Sequence, residues 1–200
     1  ALRAAAEEAF EPTFENAIRR ARAAVELDPN STERACTLGT VLSMHATAVR
    51  KSDTSRAMQI FAESTRVLES VLAVDPKNYT CVRHIARAKM TVAGDLRARG
   101  EKHRAMQIAL EVEQTQRAWY TQDPTDTFVR LEMAAVMLQT VQLLDEETGD
   151  FAGQRSDRIR EVKEMMRRGR PIEQLTGEEL TRFRWAESLD AESGDRVQDR

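Results

Sequence analysis

Four of the five prolines in this 200-residue chain recur at a nearly constant interval. The intervals are 47, 48 and 47 residues, and they separate Pro29, Pro76, Pro124 and Pro171. An aspartate precedes the first three of these prolines, and the pentapeptide Arg-Ala-Met-Gln-Ile occurs both at 56–60 and at 104–108. Coincidences at one period indicate an internal repeat. The chain is therefore predicted to fold as successive copies of one structural unit.

Each repeat has the periodicity of helices. Apolar and small residues follow the prolines at steps of three and four, as in Ala35, Leu38, Leu42 and Ala46. A second stripe of this kind precedes each proline. The chain has only 8 glycines and 5 prolines, which disfavours a β-sandwich with its many tight turns. Each repeat is predicted to be a pair of antiparallel helices.

The prolines should end helices, because proline fixes its own φ and disfavours α geometry in the residue before it. Asn30, Asn78 and Asp126 then offer side-chain oxygens as N-caps. The predicted helices are 8–27, 31–50, 54–74, 78–98, 102–122, 126–146 and 151–169, followed by a short capping helix at 177–188. The sequence thus predicts one helical repeat domain over 1–188 and a disordered tail over 189–200.

The repeats resemble tetratricopeptide repeats. That family places a proline at the close of the second helix and, nine positions later, a large apolar residue followed by a small one. The matching pairs are Leu38-Gly39, Ile85-Ala86 and Met133-Ala134, whereas the fourth repeat has Leu180-Thr181. The family repeat is about 34 residues long, so these repeats are more similar to the long-helix arrays attached to bacterial signalling proteins. The resemblance implies an all-α, right-handed α-α superhelix of about seven long helices and a capping helix.

In the resembled family, the first helix of each repeat lines a concave groove. This correspondence assigns to the groove Cys36, Thr40 and Met44, then Arg83, Arg87 and Thr91, and then Leu131, Ala135 and Gln139. Arg83 and Arg87 share a helix face and lie in a basic stretch, 78–104, so they would favour an acidic peptide. The alternative is that these arginines pair with acidic residues of neighbouring helices.

Other function classes find little support in the sequence. There is no phosphate-binding or nucleophile motif, and the three histidines do not pair at ligand spacing, so we expect no enzyme, no metal and no cofactor. A net charge of −3 argues against nucleic-acid binding. The basic group at 158–170 is interpreted as a solvated outer face, with a nucleic-acid patch as the alternative. No apolar run approaches the ~20 residues of a membrane span.

The two cysteines, Cys36 and Cys81, do not form a disulfide framework, so a reducing, cytoplasmic location is the simpler interpretation, with a single bridge left open. The chain begins without Met, as expected for a piece of a longer protein. We predict a protein- or peptide-binding scaffold. The alternative is a regulatory or dimerising sensor domain of a larger bacterial signalling protein, such as a serine/threonine kinase or a transcription regulator, and a homodimer is compatible with either.

Overall fold

A computed structural model describes residues 2–144, 151–168 and 170–198 of the chain. These residues form eight α-helices and contain no β-strand, which confirms the all-α prediction. The helices are α1 Leu2–Leu27, α2 Thr32–Val49, α3 Thr54–Val74, α4 Tyr79–Ala98, α5 Lys102–Gln122, α6 Thr127–Leu143, α7 Phe151–Arg167 and α8 Gly177–Gln198. A 3-10 turn at Ile172–Gln174 precedes α8.

The helices end where the prolines predict. The helices α1, α3 and α5 stop at the residue before each Asp-Pro pair. The amides of Asp75 and Asp123 donate hydrogen bonds to the carbonyls of Val71 (2.8 Å) and Trp119 (3.4 Å), which closes the last turn of each helix. The α geometry therefore resets at each of these three prolines, as expected from the restriction that proline places on the preceding residue.

The caps that follow the prolines are mostly the expected ones. Asp126 accepts hydrogen bonds from the amides of Phe128 (2.7 Å) and Val129 (3.1 Å), and Asn78 accepts one from the amide of Cys81 (3.3 Å). The prediction for Asn30 is wrong, because α2 begins one residue later and Ser31 is its N-cap. Ser31 has extended backbone angles, which direct its hydroxyl oxygen to the amide of Arg34 at 3.3 Å.

The bends between the prolines also fall at the predicted places. Asp53 caps α3 by accepting a hydrogen bond from the amide of Arg56 at 2.9 Å. Gly100 has a φ of +84°, a left-handed conformation that glycine adopts without penalty, and it ends α4. The predicted break between the helices 126–146 and 151–169 lies outside the described residues.

The chain divides into two compact units, Ala1–Ala88 and Lys89–Arg200, here called the N-terminal unit and the C-terminal unit. In the N-terminal unit α1 packs on α2, and α2 packs on α3. The start of α4 joins the same core, since Cys81 and Ile85 cluster with Cys36, Leu68 and Val71. Cores of this kind remove apolar surface from water and so stabilise the stacked helices.

The α2–α3 crossing is unusually close at Gly39. A Cβ built on this residue would lie 2.5 Å from both Cγ and Cδ2 of Leu68, a side chain with no exposed surface. The Ser64 hydroxyl donates to the Gly39 carbonyl at 2.7 Å at the same crossing. The small residue after Leu38 is therefore required by packing between the paired helices of a repeat.

The C-terminal unit packs α5 on α6, α6 on α7, and α8 on both α6 and α7. Its core combines methionine and aliphatic residues of α6 and α7 with Phe183, Ala186 and Leu189 of α8. Helix α8 is 22 residues long and extends to Gln198, so it is not the short cap that the sequence suggests. It includes residues 189–198, which the pattern assigns to a tail, because Leu189 still packs in the core and Asp190 pairs with Lys163 at 2.6 Å.

Candidate functional site

The first helices of the first two repeats lie side by side in the N-terminal unit. Cys36 near the start of α2 meets Cys81 near the start of α4, and Ala46 and Ala88, further along the same helices, share a cluster with Phe61. The two helices therefore run in the same direction. Residues at helical spacing on them define what we call the α2–α4 face: Thr37, Thr40 and Met44 of α2 with Thr80, Arg83 and Arg87 of α4.

A shallow pocket of about 340 Å³ opens at the start of this face. Its wall is mostly apolar, with threonine hydroxyls, the Asn78 amide and the Glu33 carboxylate set among the apolar atoms. The lining residues are Thr32, Glu33, Cys36, Thr37, Thr40, Val41, Asn78 and Thr80. Threonine and asparagine side chains both donate and accept hydrogen bonds, so the pocket suits the polar backbone of a peptide. Thr40, predicted as a groove residue, lies in this wall.

The α4 side of the face is positively charged. Arg83 is half-buried and Arg87 is exposed, one turn apart on α4. The buried His84 between them has its pKa lowered to about 4, first because burial disfavours its charged form and then because of the charges of Arg83 and Arg87. His84 is therefore neutral at pH 7.

The hydrogen bond of His84 fixes its tautomer. Nη2 of Arg83 lies 3.3 Å from Nε2 of His84. A guanidinium can only donate, so Nε2 accepts and the ring carries its proton on Nδ1. The positive charge of this helix face at neutral pH therefore belongs to the arginines, and the neutral histidine beneath them adds none.

The structure places the predicted groove residues in two sets. Cys36, Thr40, Met44, Arg83 and Arg87 belong to the N-terminal unit, where Cys36 is buried and Met44 is 53% exposed. The remaining four belong to the C-terminal unit. Thr91 is half-buried on α4, Leu131 and Ala135 are half-buried on α6, and Gln139 is exposed on the same helix. The α2–α4 face thus contains four of the nine assigned residues, and it is better defined than the set in the C-terminal unit.

A second cleft, of about 500 Å³, lies between α1, α2 and α3 in the N-terminal unit. Its floor includes Leu42 and the buried His45, whose ring stacks on Phe14 with centroids 5.4 Å apart. Ion pairs cross its rim, for example Arg22–Glu63 at 2.7 Å. Because charges of both signs line this cleft, it offers less electrostatic preference than the α2–α4 face.

The basic group at 158–170 takes part in ion pairs within the C-terminal unit. Arg158 donates to the buried carboxylate of Glu113 at 2.9 Å, and its side chain is only 16% exposed. Arg170 donates to both carboxylate oxygens of Glu179, at 2.9 and 3.0 Å. The interpretation as a solvated face is therefore wrong for Arg158, which an acidic partner 45 positions away in sequence neutralises. Arg170 is also paired, but its side chain is 39% exposed.

The sequence left the pairing of the two cysteines open, and the structure brings them together. The Sγ atoms of Cys36 and Cys81 lie 2.9 Å apart in the buried core of the N-terminal unit. The signal was present, since a separation of 45 residues in a repeat of 47 places two side chains near each other on successive first helices.

Comparison with protein-family models, with curated proteins and with solved structures gives no match. Within the described residues, no group of three or more His, Cys, Asp or Glu side chains is arranged to hold a metal ion. None of the described helices combines the length and the apolar character needed to cross a bilayer.

Proposed function

We propose that this chain is a tetratricopeptide-like module that binds an acidic peptide or protein segment on its α2–α4 face. The observation that carries the proposal is the pair Arg83 and Arg87 on adjacent turns of α4, over a histidine that burial, and then the charges of the two arginines, keep neutral. The parallel packing of α2 and α4 and the small residue at Gly39 support the tetratricopeptide-like part of the proposal.

Binding by this face would use shape and charge with no covalent step. Four residues of α-helical rise place Arg83 and Arg87 about 6 Å apart along the axis. Alternate residues of an extended peptide lie about 6.6 Å apart, close enough for the two long side chains to reach both. The preferred ligand is therefore an extended segment with carboxylates at alternate positions, its backbone held by Thr40 and Asn78 and an apolar side chain contacting Met44.

The test compares two charge reversals of equal size. Arg83→Glu with Arg87→Glu changes the proposed site, and Arg20→Glu with Arg66→Glu changes two exposed arginines on α1 and α3 of the same unit. Fluorescence anisotropy measures binding of an extended peptide with glutamate at alternate positions, and of its glutamine counterpart.

We expect the site variant to lose at least about tenfold in affinity for the glutamate peptide, since charge-assisted hydrogen bonds contribute about 1.5–3 kcal/mol each and exposure reduces this. The control variant and the wild type should bind alike, and added salt should weaken both. Equal affinities for the two peptides, or equal losses in the two variants, would contradict the proposal. Far-UV circular dichroism verifies that each variant is folded.

A self-associating regulatory domain is the second candidate. Leu27 and Val74 occupy equivalent positions at the ends of α1 and α3, 83% and 74% exposed. Exposed apolar side chains at matched repeat positions are surfaces that association would bury. Light scattering over a concentration series, on wild type and on Leu27→Glu with Val74→Glu, distinguishes this function: a dimer that the variant abolishes supports it, and a monomer at all concentrations excludes it.

A further inference from the structure

The two thiols of the chain form a buried pair. Sγ of Cys36 on α2 and Sγ of Cys81 on α4 lie 2.9 Å apart, and both cysteines are free thiols. They share a core cluster with Leu68, Val71 and Ile85. An S–S bond is about 2.0 Å long, so the two sulfurs need to approach by less than about 1 Å. The two cysteines thus lie on different helices and come together only in the folded chain.

The two thiols differ in access from solvent. Cys36 lines the pocket of about 340 Å³ on the α2–α4 face, whereas Cys81 has no exposed surface. Burial, and then the hydrogen bond with Cys36, raise the pKa of the Cys81 thiol. A reagent from solution therefore reaches Cys36 first, while Cys81 stays protonated behind it.

We propose that Cys36 and Cys81 are a reversible redox pair that low-molecular-weight disulfides oxidise to an intramolecular disulfide. The Cys36 thiol loses its proton to solvent, and its sulfur attacks one sulfur of the small disulfide. A mixed disulfide forms on Cys36 and one thiolate leaves. Cys81 then loses its proton and attacks Sγ of Cys36, which releases the second thiolate. The protein loses two electrons and two protons, and the small disulfide becomes two thiols.

The bond would connect α2 directly to α4, across a sequence separation of 45 that includes α3. It would lie at the wall of the pocket and would fix the two helices that carry the α2–α4 face. This inference depends on the position of the two sulfurs and is independent of the proposed peptide binding. A chain that binds no acidic peptide can still form the bond, and the converse also holds.

The experiment equilibrates the full chain in glutathione buffers of increasing oxidised-to-reduced ratio, stops exchange with acid, and alkylates the remaining thiols. Trypsin then places Cys36 in the peptide 35–50 and Cys81 in the peptide 78–83. We expect these two peptides to become linked within one chain and the two alkylated thiols to disappear together. The oxidised chain should melt roughly 5–15 °C above the reduced chain, because the bond restricts the unfolded chain.

Two variants test the order of attack. In Cys81→Ala, Cys36 should accumulate as a stable mixed disulfide with glutathione. In Cys36→Ser, Cys81 should react more than tenfold more slowly. Wild-type protein that is folded by circular dichroism and yields no linked peptides at any ratio would overturn the proposal. So would linkage between two chains, or equal reaction rates for the two single cysteines.

Discussion

Replacing Gly39 by alanine tests the close approach of α2 and α3. The new Cβ would lie 2.5 Å from Cγ and Cδ2 of Leu68, closer than carbon atoms can pack. Leu68 is fully buried, so it has to shift within a packed core. Overpacking of this kind costs about 1–3 kcal/mol. Alanine also returns about 0.8–1.0 kcal/mol of helix propensity, so the net destabilisation should be roughly 0–2 kcal/mol.

The chain supplies a matched control. Gly94 also lies within a helix, α4, but it is exposed, and a Cβ there would have no neighbour within 4 Å. Gly94→Ala should therefore stabilise the protein by about 1 kcal/mol. The gain in helix propensity is the same in the two variants. The difference between their free energies of unfolding therefore measures the overpacking at Leu68 alone, about 1–3 kcal/mol.

Urea unfolding followed by far-UV circular dichroism measures both free energies of unfolding, and hydrogen exchange should show the loss in Gly39→Ala at amides of α2 and α3. If Gly39→Ala stabilises the chain as much as Gly94→Ala does, the α2–α3 crossing is not as close as described. A cycle with Leu68→Ala adds a second check, because the overpacking should disappear once the leucine is shortened.

Further changes probe other parts of the fold. The folded-state pKa of His84 is about 4 instead of 6.5, so the unfolded state takes up the proton first as the pH falls. The contribution of the neutral histidine to the free energy of unfolding should be fully present above pH 6.5 and should decrease as the pH drops towards 4. His84→Gln should reduce this pH dependence in unfolding measured at several pH values. Leu68→Asp should unfold the N-terminal unit, because it buries an unpaired charge. Pro76→Ala should change the free energy of unfolding by less than about 1 kcal/mol. Small and comparable losses of helical circular dichroism in the two variants would contradict the packing of α3. Glu113→Ala should cost roughly 3–5 kcal/mol in urea unfolding, because it leaves the half-buried Arg158 without its partner, and a cost under about 1 kcal/mol would show that the pair is solvated.

Part of the candidate site is visible in the sequence. The spacing of Arg83 and Arg87 places both on one helix face, and the repeat period places Thr40 on the first helix of the preceding repeat. The sequence does not show that His84 lies buried against Arg83, or that Thr40 and Asn78 line one pocket. These relations depend on how α2 and α4 pack, which involves residues about 40 positions apart. The assignments of Thr91, Leu131, Ala135 and Gln139 to a binding surface remain predictions.

The sequence by itself determined the helices and the ends that the Asp-Pro pairs set, because helical periodicity and proline geometry act over a few residues. It also determined that a small residue follows Leu38, a requirement whose origin is the contact with Leu68. Only the tertiary structure decided that Cys36 meets Cys81, that Arg158 neutralises Glu113, and that α8 continues along the core past residue 188. Each of these depends on a contact between side chains distant in sequence, whose partner no local pattern specifies.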